Sequence, residues 1–136
     1  MLSGALRFVI CCALLVQIDF KQYPGSRLDE QAKCATTALS KDLDCTVYTT
    51  GDSFEKVYSF YKALYPEVSI PIPVQKLPNG QEVKWAFFIL DGAKDLARSK
   101  SWLKVQRPFI GSIADGGRGD FRDIRDVSAI QTIHRR

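Results

Sequence analysis

Residues 82–90 read EVKWAFFIL, and this stretch decides the fold class. Because side chains alternate across a β-strand, the stretch has two faces. One face carries Val83, Trp85, Phe87 and Ile89. The other face carries Lys84, Ala86, Phe88 and Leu90. The second half is apolar on both faces, which predicts a central strand that other elements cover on both sides.

A turn and an extended segment precede this strand. Asn79-Gly80 is a strong signal for a tight hairpin, which would join residues 74–77 to the strand. Pro71 and Pro73 lie just before the hairpin. Because proline cannot donate a hydrogen bond to a sheet, the segment around them is predicted to be an edge strand or an extended chain.

Residues 53–64 are predicted to form the main helix. Asp52 is the predicted N-cap, and Glu55 completes a capping box. Pro66 ends the helix. The apolar residues recur at helical spacing and form one stripe, Phe54, Val57, Tyr58, Tyr61 and Leu64. Such a stripe is typical of a helix that packs on a core.

The remaining segments complete a predicted α+β domain over residues 21–136. Helical segments are expected at 29–40 and at 92–99, the second capped by Asp91. Strands are expected at 45–50, 102–107 and 127–134, and a flexible loop at 111–119. We therefore predict a small antiparallel sheet of about four to five strands, with the helix 53–64 and shorter helices packed on one face.

The N-terminal segment, residues 1–20, has the layout of a secretory signal peptide. Arg7 precedes the apolar run 8–18, which is shorter than the roughly 20 residues of a membrane-spanning helix. A good small-x-small cleavage site is missing. Three interpretations remain open: a cleaved signal, an uncleaved anchor, or a core strand of a cytosolic protein. Export to the periplasm or the medium is favoured.

Two cysteines follow that segment. Cys34 and Cys45 lie eleven positions apart, and in an exported chain such a pair predicts a disulfide. Closing this loop would stabilise the fold by about 3 kcal/mol on the chain-entropy model. The alternative is two free buried thiols. A zinc site is not expected, because the sequence has no Cys-x-x-Cys pair and a single histidine, His134.

The positive charge is concentrated in the C-terminal third. Residues 94–136 carry 10 Lys and Arg against 5 Asp and Glu, whereas residues 1–93 carry 9 against 10. This bias favours an anionic partner, with a plain solvated surface as the alternative. The best candidates for partner contact form a basic, aromatic-edged stripe, Trp102, Lys104, Gln106 and Arg107. The alternative is the ordinary polar face of a sheet.

Catalysis is not the favoured interpretation. His134 is the one histidine available as a base, and it lies two residues from the end of the sequence, where a strand frays. The glycines between 111 and 119 do not fit a phosphate-binding loop. No catalytic residue, cofactor or metal site is predicted.

Several local motifs occur together in this chain. They are Tyr23-Pro24-Gly25-Ser26, TTGDSFEKV at 49–57, Phe60-Tyr61 and AFFILDG at 86–92. On these motifs the chain resembles a group of small exported bacterial proteins of unknown function. In that group a Tyr-Pro-Gly start precedes a Thr-x-Asp-Ser-x-Glu-Lys-Val helix that ends in Phe-Tyr. The resemblance covers most of residues 23–130. It implies an α+β domain in the cell envelope, and it carries over no catalytic residue.

The favoured function is therefore an exported, non-enzymatic envelope domain that binds a protein or an anionic polymer. Nucleic acid is not an expected partner, and membrane contact is expected only through residues 1–20 if they stay attached. One alternative is a small-ligand carrier or enzyme with a site between the helix 53–64 and the sheet, near Tyr58 or Tyr61. The other is a cytosolic domain with residues 8–18 as a core strand.

Overall fold

The computed structural model describes residues 20–32, 34, 41–114 and 120–136. Its main element is a seven-stranded antiparallel sheet. The strands of this sheet are β1 (Arg27–Leu28), β2 (Leu43–Thr50), β3 (Glu67–Val68), β4 (Gln75–Lys76), β5 (Glu82–Ile89), β6 (Ser101–Arg107) and β9 (Ser128–Arg135). Their spatial order is β1-β2-β9-β6-β5-β3, and β4 also pairs with β5. The strand β9 therefore lies in the middle of the sheet, between β2 and β6.

A separate hairpin follows β6. Its strands are β7 (Phe109–Ala114) and β8 (Asp120–Arg125), and they pair antiparallel with each other. Pro108 separates β6 from β7, which is the end that the sequence predicts for β6. The predicted flexible loop at 111–119 is therefore wrong in its first part, because residues up to Ala114 belong to β7. Residues 115–119 lie outside the described part of the chain.

The helix α1 (Phe54–Lys62) confirms the main helical prediction. Its N-cap is Ser53, whose hydroxyl accepts a hydrogen bond from the Lys56 amide at 3.2 Å. The prediction of Asp52 as N-cap is therefore wrong by one residue. Asp52 instead accepts a hydrogen bond of 2.6 Å from the Tyr23 hydroxyl, which ties the segment before β1 to the start of the helix.

The helix covers one side of the sheet, which we call the helical face. The core on this face consists of Tyr23, Val57, Tyr61, Ala86, Phe88, Leu103, Val105 and Ile130. Val57 and Tyr61 are fully buried, as the stripe predicts. Leu64 is 44% exposed, because the helix ends at Lys62 and the last predicted member of the stripe lies beyond it.

The opposite side of the sheet, which we call the distal face, packs on other parts of the chain. Phe109 and Ile110 of the β7–β8 hairpin contact one end of it, and the 91–100 loop contacts the other end through Ala93 and Leu96. The residues of β5 on this face are Val83, Trp85, Phe87 and Ile89. The predicted alternation of β5 is therefore confirmed.

The predicted sheet of four to five strands with several helices is wrong. Strands make up 44% of the structure, the sheet has seven of them, and α1 is the single helix in the described residues. Three of the strands, β1, β3 and β4, are two residues long. A strand of two residues is too short to produce an alternating pattern, which is why the sequence under-counts them.

The predicted short helix at 92–99 is also wrong, because these residues form turns and bends. The Asp91 carboxylate accepts hydrogen bonds from the backbone N–H of Ala93 and Lys100 and from the Ser99 hydroxyl. Asp95 accepts another from the Arg98 amide. Aspartates that bond to nearby backbone in this way compete with helical hydrogen bonding.

Other predictions fall partly or wholly outside the described residues. Most of the predicted helix 29–40 lies there, and the described residues 30–31 form a turn bonded to the Asp29 side chain. Residues 1–19, which carry the signal-peptide and core-strand interpretations, lie there too. Within the described ranges, no helix has the length and apolarity needed to cross a bilayer.

Candidate functional site

Lys104 lies in the middle of the distal face. Its neighbours in register are Phe87 on β5 and Gln131 on β9. Its Nζ atom is 5.6 Å from the ring centroid of Trp85 and 5.6 Å from that of Phe87. Across the described residues, this ammonium group has no hydrogen-bond or ion-pair partner. The protein groups that attract the ammonium group here are the two ring faces.

Burial lowers the pKa of Lys104 to about 8. The cause is desolvation, because removing the charged ammonium group from water costs more free energy than removing the neutral amine. Phe87 and Trp85 are themselves only half-buried. The lysine therefore lies under a partly open aromatic surface and not in a sealed core.

Two arginines also stack on aromatic rings on this face. The guanidinium carbon of Arg125 is 4.7 Å from the Phe109 ring centroid, and that of Arg135 is 5.2 Å from the Trp102 ring centroid. We call the set the cation–aromatic surface, and it consists of Trp85, Phe87, Trp102, Lys104, Phe109, Arg125 and Arg135. All cation–ring contacts found in the described residues belong to it.

The arginines of this surface differ from Lys104 because each has a carboxylate partner. Arg125 forms an ion pair of 2.8 Å with Asp29, and this contact lowers the pKa of the Asp29 carboxyl. Arg135 lies 3.8 Å from Asp42. Lys104 is therefore the cation of the surface whose charge no described residue balances.

The structure divides the predicted stripe between the two faces. Trp102 and Gln106 are 7% and 4% exposed, and they lie on the distal face with Lys104. The Gln106 side chain donates a hydrogen bond of 3.0 Å to the Pro108 carbonyl. Arg107 lies on the helical face, at the end of β6. Whether the stripe contacts a partner stays a prediction.

Arg107 has a structural set of contacts. Its guanidinium group donates to the backbone carbonyls of Asp52 at 2.9 Å and Asp126 at 3.0 Å, and to the Asp126 carboxylate at 3.1 Å. These bonds connect β6 to the segment before α1 and to the β8–β9 turn. Neutralising Arg107 would therefore disturb the fold as well as the surface charge.

A cleft lies beside the N-terminus of α1. Its volume is about 510 Å³, and its lining is Gly51, Ser53, Phe54, Glu55, Gln81, Glu82, Lys84 and Arg107. Lys84 and Glu55 form an ion pair of 2.7 Å, which lowers the pKa of the Glu55 carboxyl. Two acidic and two basic residues line the cleft, so its charge is balanced.

The cleft does not reach the tyrosines that the sequence suggests for a helix–sheet site. Tyr61 is fully buried, its hydroxyl donates to the Lys21 carbonyl at 2.8 Å, and burial raises the pKa of its hydroxyl. Tyr58 donates to Glu67 at 2.6 Å. Both hydroxyls are therefore used within the fold.

A serine and the histidine meet at one end of the helical face. The Ser101 hydroxyl lies 2.7 Å from the Nδ1 atom of His134. Ser101 on β6 and Asp44 on β2 are the two register partners of His134 on β9. The sequence does not predict that Ser101, His134 and Asp44 lie side by side across three strands. The pairing of β9 with both neighbours cannot be derived from local patterns. His134 lies within β9 and pairs with a strand on each side.

The cysteine pair has the geometry that the sequence predicts. Cys34 and Cys45 lie at disulfide distance, with Cα atoms 6.2 Å apart. Cys34 is buried in a small cluster on the distal face with Val47, Phe109 and Ala129. In the described ranges, no three His, Cys, Asp or Glu side chains are grouped to hold a metal ion.

Comparisons with protein-family models, curated proteins and solved structures found no match to this chain. The geometry described above is therefore the basis for any functional proposal.

Proposed function

We propose that this protein is an exported envelope domain that binds an anionic partner through the cation–aromatic surface, with no chemistry at that surface. The observation that supports this proposal is Lys104, an ammonium group between two aromatic rings with no carboxylate partner in the described residues. A carboxylate or phosphate group from a partner would balance this charge. The candidate partners are an anionic envelope polymer and an acidic segment of another protein.

The surroundings of Lys104 favour an anion. The residues that flank it in register on the distal face, Phe87 and Gln131, are uncharged. Arg125 and Arg135, the other cations of this surface, already have carboxylate partners in Asp29 and Asp42. A charge-assisted bond to a poorly hydrated ammonium group is stronger than the same bond in water.

The test compares two lysines. Lys104→Gln removes the unpaired charge, and Lys84→Gln removes one charge from the exposed ion pair beside α1 as a matched control. Binding to polyphosphate and to polyglutamate is measured over a range of salt concentrations. We expect Lys104→Gln to weaken binding to at least one polymer about tenfold, and Lys84→Gln to change it less than about twofold.

The two polymers distinguish the partner classes. Preference for polyphosphate favours a phosphate-bearing envelope polymer, and preference for polyglutamate favours an acidic protein segment. Equal affinities of the wild type and Lys104→Gln for both polymers would reject Lys104 as the contact.

Export is tested separately. The intact mass of the protein from its native host is measured by compartment, with thiols alkylated before and after reduction. We expect an envelope fraction, a chain shortened by about 20 residues, and thiols at Cys34 and Cys45 that react only after reduction. A full-length chain with reactive thiols in the cytosol would favour residues 8–18 as a core strand, and a full-length chain in the membrane would favour an anchor.

A small-ligand carrier is the second candidate, and the cleft beside α1 supports it. Its volume of about 510 Å³ is sufficient for a small organic molecule. The balanced charges of Glu55, Glu82, Lys84 and Arg107 favour a zwitterionic ligand over a polyanion. Thermal-shift screening of amino acids and short peptides tests this candidate. A shift that Lys84→Gln abolishes and Lys104→Gln leaves unchanged would place the ligand in the cleft.

A further inference from the structure

Ser101 and His134 form a hydrogen-bonded pair on two inner strands of the sheet, β6 and β9, at one end of the helical face. The distance between the Ser101 Oγ and the His134 Nδ1 is 2.7 Å. This lies in the range over which an imidazole can accept a proton from a serine hydroxyl. The binding surface proposed above lies on the other face and makes no use of either residue.

The sheet holds both residues in place. Ser101 pairs with His134 in register, and Asp44 pairs with His134 from the opposite side. The Ser101 backbone is also fixed, because its carbonyl accepts hydrogen bonds from the Leu90 amide and from the Ser99 hydroxyl. The dyad therefore has a defined geometry, which positioned nucleophiles require.

A cavity adjoins the pair. Its volume is about 240 Å³, and its lining is Phe20, Asp44, Thr46, Leu90, Ser101, Thr132, Ile133 and His134. Phe20 and Leu90 provide apolar walls. Thr46 and Thr132, which are register partners, bring hydroxyl groups to the same cavity and can donate to a developing oxyanion. The small volume restricts the site to short acyl groups.

We propose that Ser101 is a nucleophile that accepts an acyl group from small esters, with His134 as its base. In the first step the Ser101 oxygen bonds to the ester carbonyl carbon, and its proton moves to the Nδ1 of His134. The bond between that carbon and the leaving oxygen breaks, and the leaving alcohol takes the proton from His134. In the second step His134 takes a proton from water, and the water oxygen bonds to the acyl carbon. The bond between that carbon and the Ser101 oxygen breaks, the proton passes from His134 to Ser101, and the acyl group leaves as a carboxylic acid.

The test uses 4-nitrophenyl acetate with the full chain. We expect a burst of one nitrophenolate per protein followed by slower steady release, and an acetyl group on Ser101 in peptide mapping of samples quenched during the burst. Hydroxylamine should remove this acetyl group, because it cleaves esters and leaves the amides that acylated lysines form. Ser101→Ala should abolish the hydroxylamine-sensitive adduct, and Ser69→Ala, a change at an exposed serine, should leave it intact.

His134→Gln tests the base. We expect acetylation of Ser101 to slow by about a hundredfold, the usual contribution of a positioned base. Circular dichroism and thermal melting check that each variant is folded, and labelling of Lys104 provides an internal standard in the same digest. The absence of a Ser101 adduct in the wild type, or an equal acetylation rate in folded His134→Gln, would overturn the proposal.

Discussion

The helical and distal faces of the sheet differ in how their polar groups are satisfied. On the helical face, the hydroxyls of Tyr23 and Tyr61 donate to Asp52 and to the Lys21 carbonyl around a packed core. On the distal face, the Lys104 ammonium group lies between aromatic rings without a described polar partner. The two tyrosine hydroxyls are satisfied within the fold, whereas the Lys104 ammonium group has no hydrogen-bond or ion-pair partner among the described residues.

The largest expected difference between the faces is at two adjacent residues of β5. Phe88 on the helical face is fully buried against Tyr58 and Tyr61, and Phe87 on the distal face is half-buried. We expect Phe88→Ala to lower the free energy of unfolding by about 3–5 kcal/mol, and Phe87→Ala by about 1–2 kcal/mol. Urea denaturation measures both. Equal losses would mean that the faces are packed alike.

The next largest contribution is expected from a disulfide between Cys34 and Cys45, which lie at disulfide distance on the distal face. Replacing Cys34 and Cys45 by alanine together should lower the free energy of unfolding by about 3 kcal/mol. Thermal melting with and without a reducing agent checks this value. Reduction should destabilise the wild type to the level of the double variant and leave the double variant unchanged. A wild type that is insensitive to reduction would contradict a formed disulfide.

Lys104→Met on the distal face should stabilise the protein. Shortening a buried side chain on the helical face should instead destabilise it. The variant removes a charge that is poorly hydrated in the folded state, and we expect a gain of about 2 kcal/mol at pH 7. Folding lowers the pKa of Lys104 to about 8, below the roughly 10.4 of an unfolded lysine. Between these values the unfolded chain binds more protons, so raising the pH stabilises the wild type.

The advantage of Lys104→Met should therefore be complete below the folded-state pKa of about 8 and shrink as the pH rises. It should vanish only well above the roughly 10.4 of an unfolded lysine, where both states of the wild type carry a neutral amine. Urea denaturation of both proteins at pH 7 and pH 10 measures the difference between their free energies of unfolding. The titration of the tyrosines affects both proteins alike and therefore cancels in this difference. An advantage that stays constant over this range would show that Lys104 is not desolvated.

The smallest expected effect concerns the N-cap of α1 on the helical face. Ser53→Ala removes the hydroxyl that accepts from the Lys56 amide, and it should cost about 1 kcal/mol. Ser59→Ala, at an exposed position inside the helix, is the matched control and should change stability by less than about 0.5 kcal/mol. A larger loss for Ser59→Ala would indicate that helix propensity and not the cap is being measured.

The sequence predicts well the elements whose signal is local. The alternation in β5, the Asn79-Gly80 turn and the apolar stripe of α1 each lie within about a dozen residues, and the structure has all three. The sequence predicts poorly the elements that depend on pairing between strands far apart in the chain. The two-residue strands leave no pattern, and strands β7 and β8 flank a glycine-rich stretch that indicates a loop.

The candidate sites show the same limit. Alternation places Lys104 and Trp102 on one face of β6, but the hairpin and the loop that bury this face are separate segments of the chain. Ser101 and His134 come together only because β9 pairs with β6, and no local pattern reports that register. Asp52 and Asp91 are predicted as helix caps from spacing, yet each bonds to groups that the fold brings near it.

The position of β9 has a consequence for how the chain folds. Among the described strands, β9 alone joins the β1–β2 pair to the half of the sheet that contains β5 and β6. Leu43 pairs with Arg135, so β2 has no inner neighbour until β9 joins the sheet. Contacts of such long sequence separation slow folding. We therefore expect the β1–β2 pair to reach its final place in the sheet only after β9 has formed.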